Sequence, residues 1–141
     1  MKTVLIGAGR LATNLGQALV RSGHDVACVV SRSERSASAL GRLLQCAYCT
    51  AVADMPSTAD IYIISVSDDA LPSVAASLPP LPDALVVHTA GSLSLQVFEG
   101  TSVVRGGVFY PMQTFSKEVA ADFSAIPCFI ETMRPSDLSL L

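Results

Sequence analysis

The residues with the clearest chemical meaning are Gly7-Ala8-Gly9-Arg10-Leu11-Ala12, a G-x-G-x-x-A spacing directly behind the apolar run Val4-Leu5-Ile6. A dinucleotide's pyrophosphate needs this pattern. Gly7 permits a tight turn, Gly9 lets the backbone approach the phosphates, and the small Ala12 lets helix and strand pack closely. Free N–H groups at the helix start then face the negative charge. The whole segment Gly7 to Ala12 is therefore a candidate cofactor cradle.

A second group, Ser31-Arg32-Ser33, follows the next apolar run. An NAD-preferring site places Asp or Glu here to accept bonds from the ribose hydroxyls, whereas the 2′-phosphate of NADP needs positive charge. The Arg32 guanidinium can grip a phosphate through two parallel bonds, and the serines add donors. Glu34 is displaced from the key position, and Arg35 lies close behind. The pattern points to NADP(H), with solvated charges at a helix start as the plainer reading of both arginines.

Further polar residues gather at three later strand ends. Ser65, Val66 and Ser67 should border the middle of the cofactor, although Ser67 or Asp68 could equally cap the next helix. In His88-Thr89-Ala90-Gly91-Ser92 a titratable ring, two hydroxyls and a glycine converge where substrate chemistry would occur. His88 could exchange a proton during carbonyl or imine reduction, with Ser92 beside the substrate. It could also simply be hydrogen-bonded beneath a loop. Tyr110, Gln113 and Thr114, within Val108 to Phe115, offer donors and acceptors at a third strand mouth, while their apolar neighbours suit a core. His24 reads as structural.

These residues need elements to hold them. Leu11, Leu15, Ala18 and Leu19 recur at helical spacing, and Ser22-Gly23-His24 supplies the stop. Val26 to Val30 reads as a buried parallel strand, completing a strand–turn–helix–strand unit of about 30 residues. Ser33 to Gln45 predicts a second helix with Ala37, Leu40, Leu43 and Leu44 on its buried face. A short third strand is expected at Cys46 to Cys49 and a turn at Asp54 to Ser57. Ile61 to Val66 is the clearest buried strand, and Ser67-Asp68-Asp69 caps a helix carrying Leu71, Val74, Ala75 and Leu78. Pro72 is tolerable in its first turn, and Pro79 to Pro82 ends it. Leu85 to Val87, Val103 to Tyr110 and a last edge strand at Pro127 to Glu131 complete an α/β fold. The expectation is a Rossmann-type, doubly wound, mostly parallel sheet with helices on both faces and ligands at the strands' carboxyl ends.

The composition agrees. The chain has 141 residues, half of them hydrophobic and only 15% charged, which suits one domain with a sheet covered on both sides. A net charge of −3 argues against nucleic-acid or membrane-surface partners. The apolar runs are strand-sized, and Gly7 to Arg10 ends the first too early for a signal peptide, so a cytoplasmic location is expected. Cys46 and Cys49 match C-x-x-C, but no second pair or histidine set completes a site; no metal is expected. Cys28 and Cys128 read as small hydrophobes within strands.

Together, Gly7 to Ala12, Ser31 to Ser33, Ile63 to Asp68, His88 to Ser92 and Phe109 to Phe115 resemble a two-domain NADP-dependent oxidoreductase family, uncharacterised as to substrate. That family joins a Rossmann-like N-terminal domain to a helical C-terminal domain of unknown function. Its relatives include pyrroline-5-carboxylate reductase, ketopantoate reductase-type and prephenate-dehydrogenase-like enzymes. Tyr110-Pro111-Met112 resembles the His-Pro-Met element of prephenate dehydrogenases, with tyrosine in place of the histidine. The resemblance implies hydride transfer between NADP(H) and a small carbonyl or imine-type substrate, and a homodimer formed through the second domain. Residues 1–133 are expected to be the NADP-binding domain. Residues 134–141, with Pro135, Ser136 and Asp137 suited to a helix start, are expected to begin a helix leading to a missing domain. The rival reading is a non-catalytic dinucleotide-binding or sensing module. A methyltransferase binding S-adenosylmethionine also uses a Gly-rich turn, but it wants an acidic residue where Arg32 stands.

Overall fold

The computed structural model describes all 141 residues. Alternating strands and helices run β1 (Lys2–Ile6), α1 (Arg10–Arg21), β2 (Asp25–Val30), α2 (Glu34–Leu44), β3 (Ala47–Cys49), β4 (Ile61–Ile64), α3 (Leu71–Ser77), β5 (Leu85–His88), β6 (Gly106–Pro111) and β7 (Cys128–Thr132). One seven-stranded sheet results, in the order β3-β2-β1-β4-β5-β6-β7. Every pairing is parallel except β6 with β7. The order reverses between β1 and β4, where ligands of such sheets bind beyond the carboxyl ends.

The continuous apolar strands require cover on both faces. On one face Leu5, Val29, Ile63 and Val87 pack with Ala12 and Leu15 of α1 and Leu40 and Leu44 of α2. On the other, Ile6, Val30, Ile64 and Val86 pack with Leu71 and Ala75 of α3 and with Phe98. Helix α1 lies close because of small residues: a Cβ on Gly16 would stand 2.6 Å from Leu44 Cδ1 and 2.9 Å from Leu5 Cδ1. Gly23 closes α1 with φ +80°, the backbone its position in the stop signal called for.

Several local expectations need correction. On α2 the buried face is Ala37, Leu40, Gly41 and Leu44, whereas Leu43 is 54% exposed. The i, i+3, i+4, i+7 set runs through Gly41, against which Tyr48 packs. Strand β4 ends at Ile64 rather than Val66, because the chain turns away once Ser65 N–H has bonded the Ile6 carbonyl at 2.7 Å. Strand β6 begins at Gly106 rather than Val103. Upstream, the Thr101 hydroxyl donates to the Phe98 carbonyl and accepts from Val103 N–H, holding that segment as a loop. No side chain caps α3. Ala70 occupies the cap position, and Ser67 contributes its carbonyl to the N–H groups of Ala70 and Leu71. The terminal segment Pro135–Leu140 forms a 3-10 helix. It is tied to the sheet by the ion pair of Arg105 with the buried Asp137, 2.7 Å.

Candidate dinucleotide-binding site

At the β1–α1 turn the two glycines have different jobs. Gly7 has φ +115°, and a Cβ there would lie 2.3 Å from the Ser65 carbonyl oxygen. Only glycine fits this close approach of β1 and β4. Gly9 has nothing within 4 Å of its Cβ position and an ordinary φ of −81°. Its vacancy faces outward, into a cavity of about 1030 Å³ bounded by Gly7, Ala8 and Gly9. Gly9 also caps α1 without a side chain, and no acidic residue occupies the first turn. The leading N–H groups are thus left for an anion. Ala12 is fully buried against the sheet, so it serves packing, while Arg10 is exposed and Leu11 half-buried.

The same cavity brings together Ser31, Arg32 and Ser33 from the end of β2 and Ser65, Val66 and Ser67 from the end of β4. Ser33 also caps α2, its oxygen accepting from Ser36 N–H at 3.2 Å. Residues not anticipated from sequence also line the wall, among them Ser36, Thr50, Ala51, Val52, Ser73, Val74, Ser77 and Lys117. Two of the lining residues, Arg32 and Lys117, are cationic and none is acidic. That donor set fits a polyphosphate, and the open Cβ position at Gly9 provides the cradle.

Lys117 reaches the cleft because Asn14 anchors its loop. Asn14 is buried; its Nδ2 donates to the carbonyls of Arg10 (3.0 Å) and Ser116 (2.6 Å), and its Oδ1 accepts from Ala121 N–H (2.9 Å). The sequence did contain a signal, since Asn14 interrupts the apolar stripe of α1. Nothing in the sequence pointed to Lys117, more than a hundred residues from the glycine turn.

His88 lies at the end of β5 and is fully buried. Its Nδ1 accepts from Ala90 N–H at 3.2 Å, which leaves Nε2 protonated and facing the Ser94 carbonyl at 3.3 Å. Phe98 packs against the ring, centroids 5.7 Å apart. Burial lowers the His88 pKa, outweighing the opposing effects of the Ser94 carbonyl, Asp68 and Glu131. Both nitrogens are engaged and the ring lines neither of the two main cavities, so in this arrangement it fixes the loop Thr89 to Ser94 rather than meeting a substrate. Ser92, by contrast, is exposed, and its hydroxyl donates to Asp68, joining the loops after β4 and β5. Thr89 Oγ1 adds a bond to Ser65 Oγ at 3.3 Å. Tyr110 stands beside this loop, whereas Gln113 and Thr114 are exposed and line neither cavity.

All four cysteines are free thiols. Cys49 Sγ lies 3.9 Å from Cys28 Sγ across β2–β3, and desolvation, with the neighbouring Cys49 and Cys46, pushes the Cys28 pKa up to about 12. No group of three or more His, Cys, Asp or Glu side chains is placed to hold a metal ion. No helix is long and apolar enough to cross a membrane.

Fold and glycine turn define a Rossmann-type dinucleotide-binding domain. Residues 2–91 match the family described as NADP oxidoreductase, coenzyme F420-dependent, and the chain belongs to that family. Among solved structures, a Bacteroides fragilis protein designated an NADP oxidoreductase is 44% identical with a TM-score of 0.86, covering 98% of this chain and 54% of its own. Prephenate dehydrogenase from A. aeolicus, solved with hydroxyphenyl propionate and NAD+, shares 17% identity at a TM-score of 0.74, with coverages of 92% and 50%. A 1-pyrroline-5-carboxylate reductase from Streptococcus pyogenes shares 18% at 0.66, with coverages of 79% and 42%. The last two likenesses concern the fold alone. The chain spans about half the length of these relatives. No curated protein matches it.

Proposed function

We propose that this chain is the NADP(H)-binding part of an oxidoreductase that reduces, or forms by oxidation, a small carbonyl or imine-type group. The observation that carries the reading is the first cavity: an open glycine turn and helix start at one side, Arg32 among serines at the other, and no carboxylate on its wall. Leading N–H groups of α1 and Lys117 hold the pyrophosphate, while Arg32, Ser31 and Ser33 hold the 2′-phosphate. Val52 and Val74 offer apolar walls to the adenine end, and Ser65, Val66 and Ser67 flank the nicotinamide end. When bound, the dinucleotide supplies or accepts the hydride. The chain's part is to orient the reacting groups, with His88 positioning the loop that carries Ser92 at the edge of the site.

An NMR titration of the isotope-labelled chain with NADPH tests this directly. Amide shifts should concentrate at Gly9 to Ala12, Ser31 to Ser33, Ser65 to Ser67 and Lys117. Shifts confined to other regions, or none, would overturn the proposal.

A further inference from the structure

A second cavity, of about 640 Å³, adjoins the loop Ala90–Ser94 and opens against β6 and β7. Its walls are of a different kind from those of the first. Tyr110 and Phe129 are direct cross-strand partners, their ring centroids 6.4 Å apart at an interplanar angle of 26°. The Tyr110 ring rests on bare backbone: a Cβ on Gly91 would come 2.5 Å from its Cζ. Phe129 is 59% exposed, so its ring is open to a ligand in the cavity. Glu131, two residues along β7, shares the face of Phe129 and lines the same cavity. No lysine or arginine does. Ser92 stands at the margin, bonded to a second carboxylate, Asp68.

We infer that this cavity takes an organic cation, a protonated amine or iminium group carried on an aromatic or branched apolar body. The inference rests on the dinucleotide reading only for the cavity's role as the substrate side of the site. Aromatic faces attract cations through their quadrupole, and Glu131 adds a full negative charge beside them. A carboxylate ligand meets the opposite situation, facing Glu131, with Asp68 behind Ser92, and finding no cation to offset them. The Tyr110 hydroxyl, with no hydrogen bond inside the protein, can accept from an N–H group of the ligand.

The test is an NMR titration of the full chain with four probes of matched shape: phenethylammonium, benzyltrimethylammonium, phenylethanol and phenylacetate, each with and without NADPH. The two cations should shift the Tyr110 and Phe129 ring signals and bind about tenfold tighter than phenylacetate, and Glu131→Gln should remove most of that preference. NADPH affinity should not change in Glu131→Gln, which lies outside the first cavity. Phenylacetate binding as tightly as the cations, an unaltered preference in Glu131→Gln, or no binding by any probe would overturn the inference. Failure to bind NADPH would instead sink the dinucleotide reading, and the cation preference is still read in the cofactor-free arm.

Discussion

Replacing each glycine of the β1–α1 turn by alanine should separate folding from binding. In Gly7→Ala the residue must hold φ +115°, and its methyl meets the Ser65 carbonyl oxygen at 2.3 Å and carbon at 2.7 Å. The backbone conformation alone costs about 1–3 kcal/mol. Prising β1 from β4 to relieve a backbone contact adds a comparable amount, so about 3–5 kcal/mol is expected from a total stability of about 5–15 kcal/mol. A fall in Tm of about 10 °C or more follows for a chain of this size. Gly9→Ala meets nothing within 4 Å at an ordinary φ. Alanine is a poorer helix cap than glycine, which limits the cost to about 1 kcal/mol. Its methyl nevertheless enters the space assigned to the pyrophosphate, and NADPH affinity should drop more than about tenfold, over 1.4 kcal/mol. Urea unfolding followed by circular dichroism, with calorimetric NADPH titration of the folded variants, reads both quantities. Gly9→Ala binding like the unmodified chain, or Gly7→Ala unfolding at the same urea concentration, would refute the division of roles.

Three further outcomes follow from named contacts. Asn14→Ala should cost about 2–3 kcal/mol by leaving the Ala121 N–H and the Ser116 carbonyl unpaired, and hydrogen exchange should accelerate at Ala121; unchanged exchange would contradict the anchoring role. His88→Ala should destabilise the fold by about 2–4 kcal/mol through a cavity and two unpaired loop groups, yet leave NADPH binding near normal in the folded fraction. In denaturant titrations across pH, the native chain should lose stability as pH falls below the ordinary aspartate value of 3.8, because Arg105 holds the folded Asp137 pKa lower; Asp137→Asn should be less stable above that point and show a shallower acid decline.

The alternation of strands and helices, the mostly parallel sheet and the glycine turn after β1 were legible in the sequence because they rest on local patterns. An apolar run followed by G-x-G-x-x-A, then a 3.6-residue period, has few alternative foldings. The position of Arg32 was legible for the same reason, two residues beyond the end of β2. What escaped reading depends on contacts distant in sequence. Lys117 comes to the cleft only through the bonds of Asn14 to Ser116 and Ala121. Ser67-Asp68-Asp69 has the composition of a cap, yet Asp68 instead accepts from Ser92, 24 residues away. The residue types around His88 suggested chemistry, but their spacing could not reveal that Ala90 and Ser94 claim both ring nitrogens.

The central claim, that this chain holds NADP(H) with Arg32 reading the 2′-phosphate, is tested most directly by calorimetric titration of the chain and of Arg32→Ala with NADPH and NADH. A charge-assisted contact is worth about 1.5–3 kcal/mol, so NADPH should bind roughly 10- to 150-fold tighter than NADH, and Arg32→Ala should bring the two together. Equal affinities in the unmodified chain, or no binding of either, would contradict it.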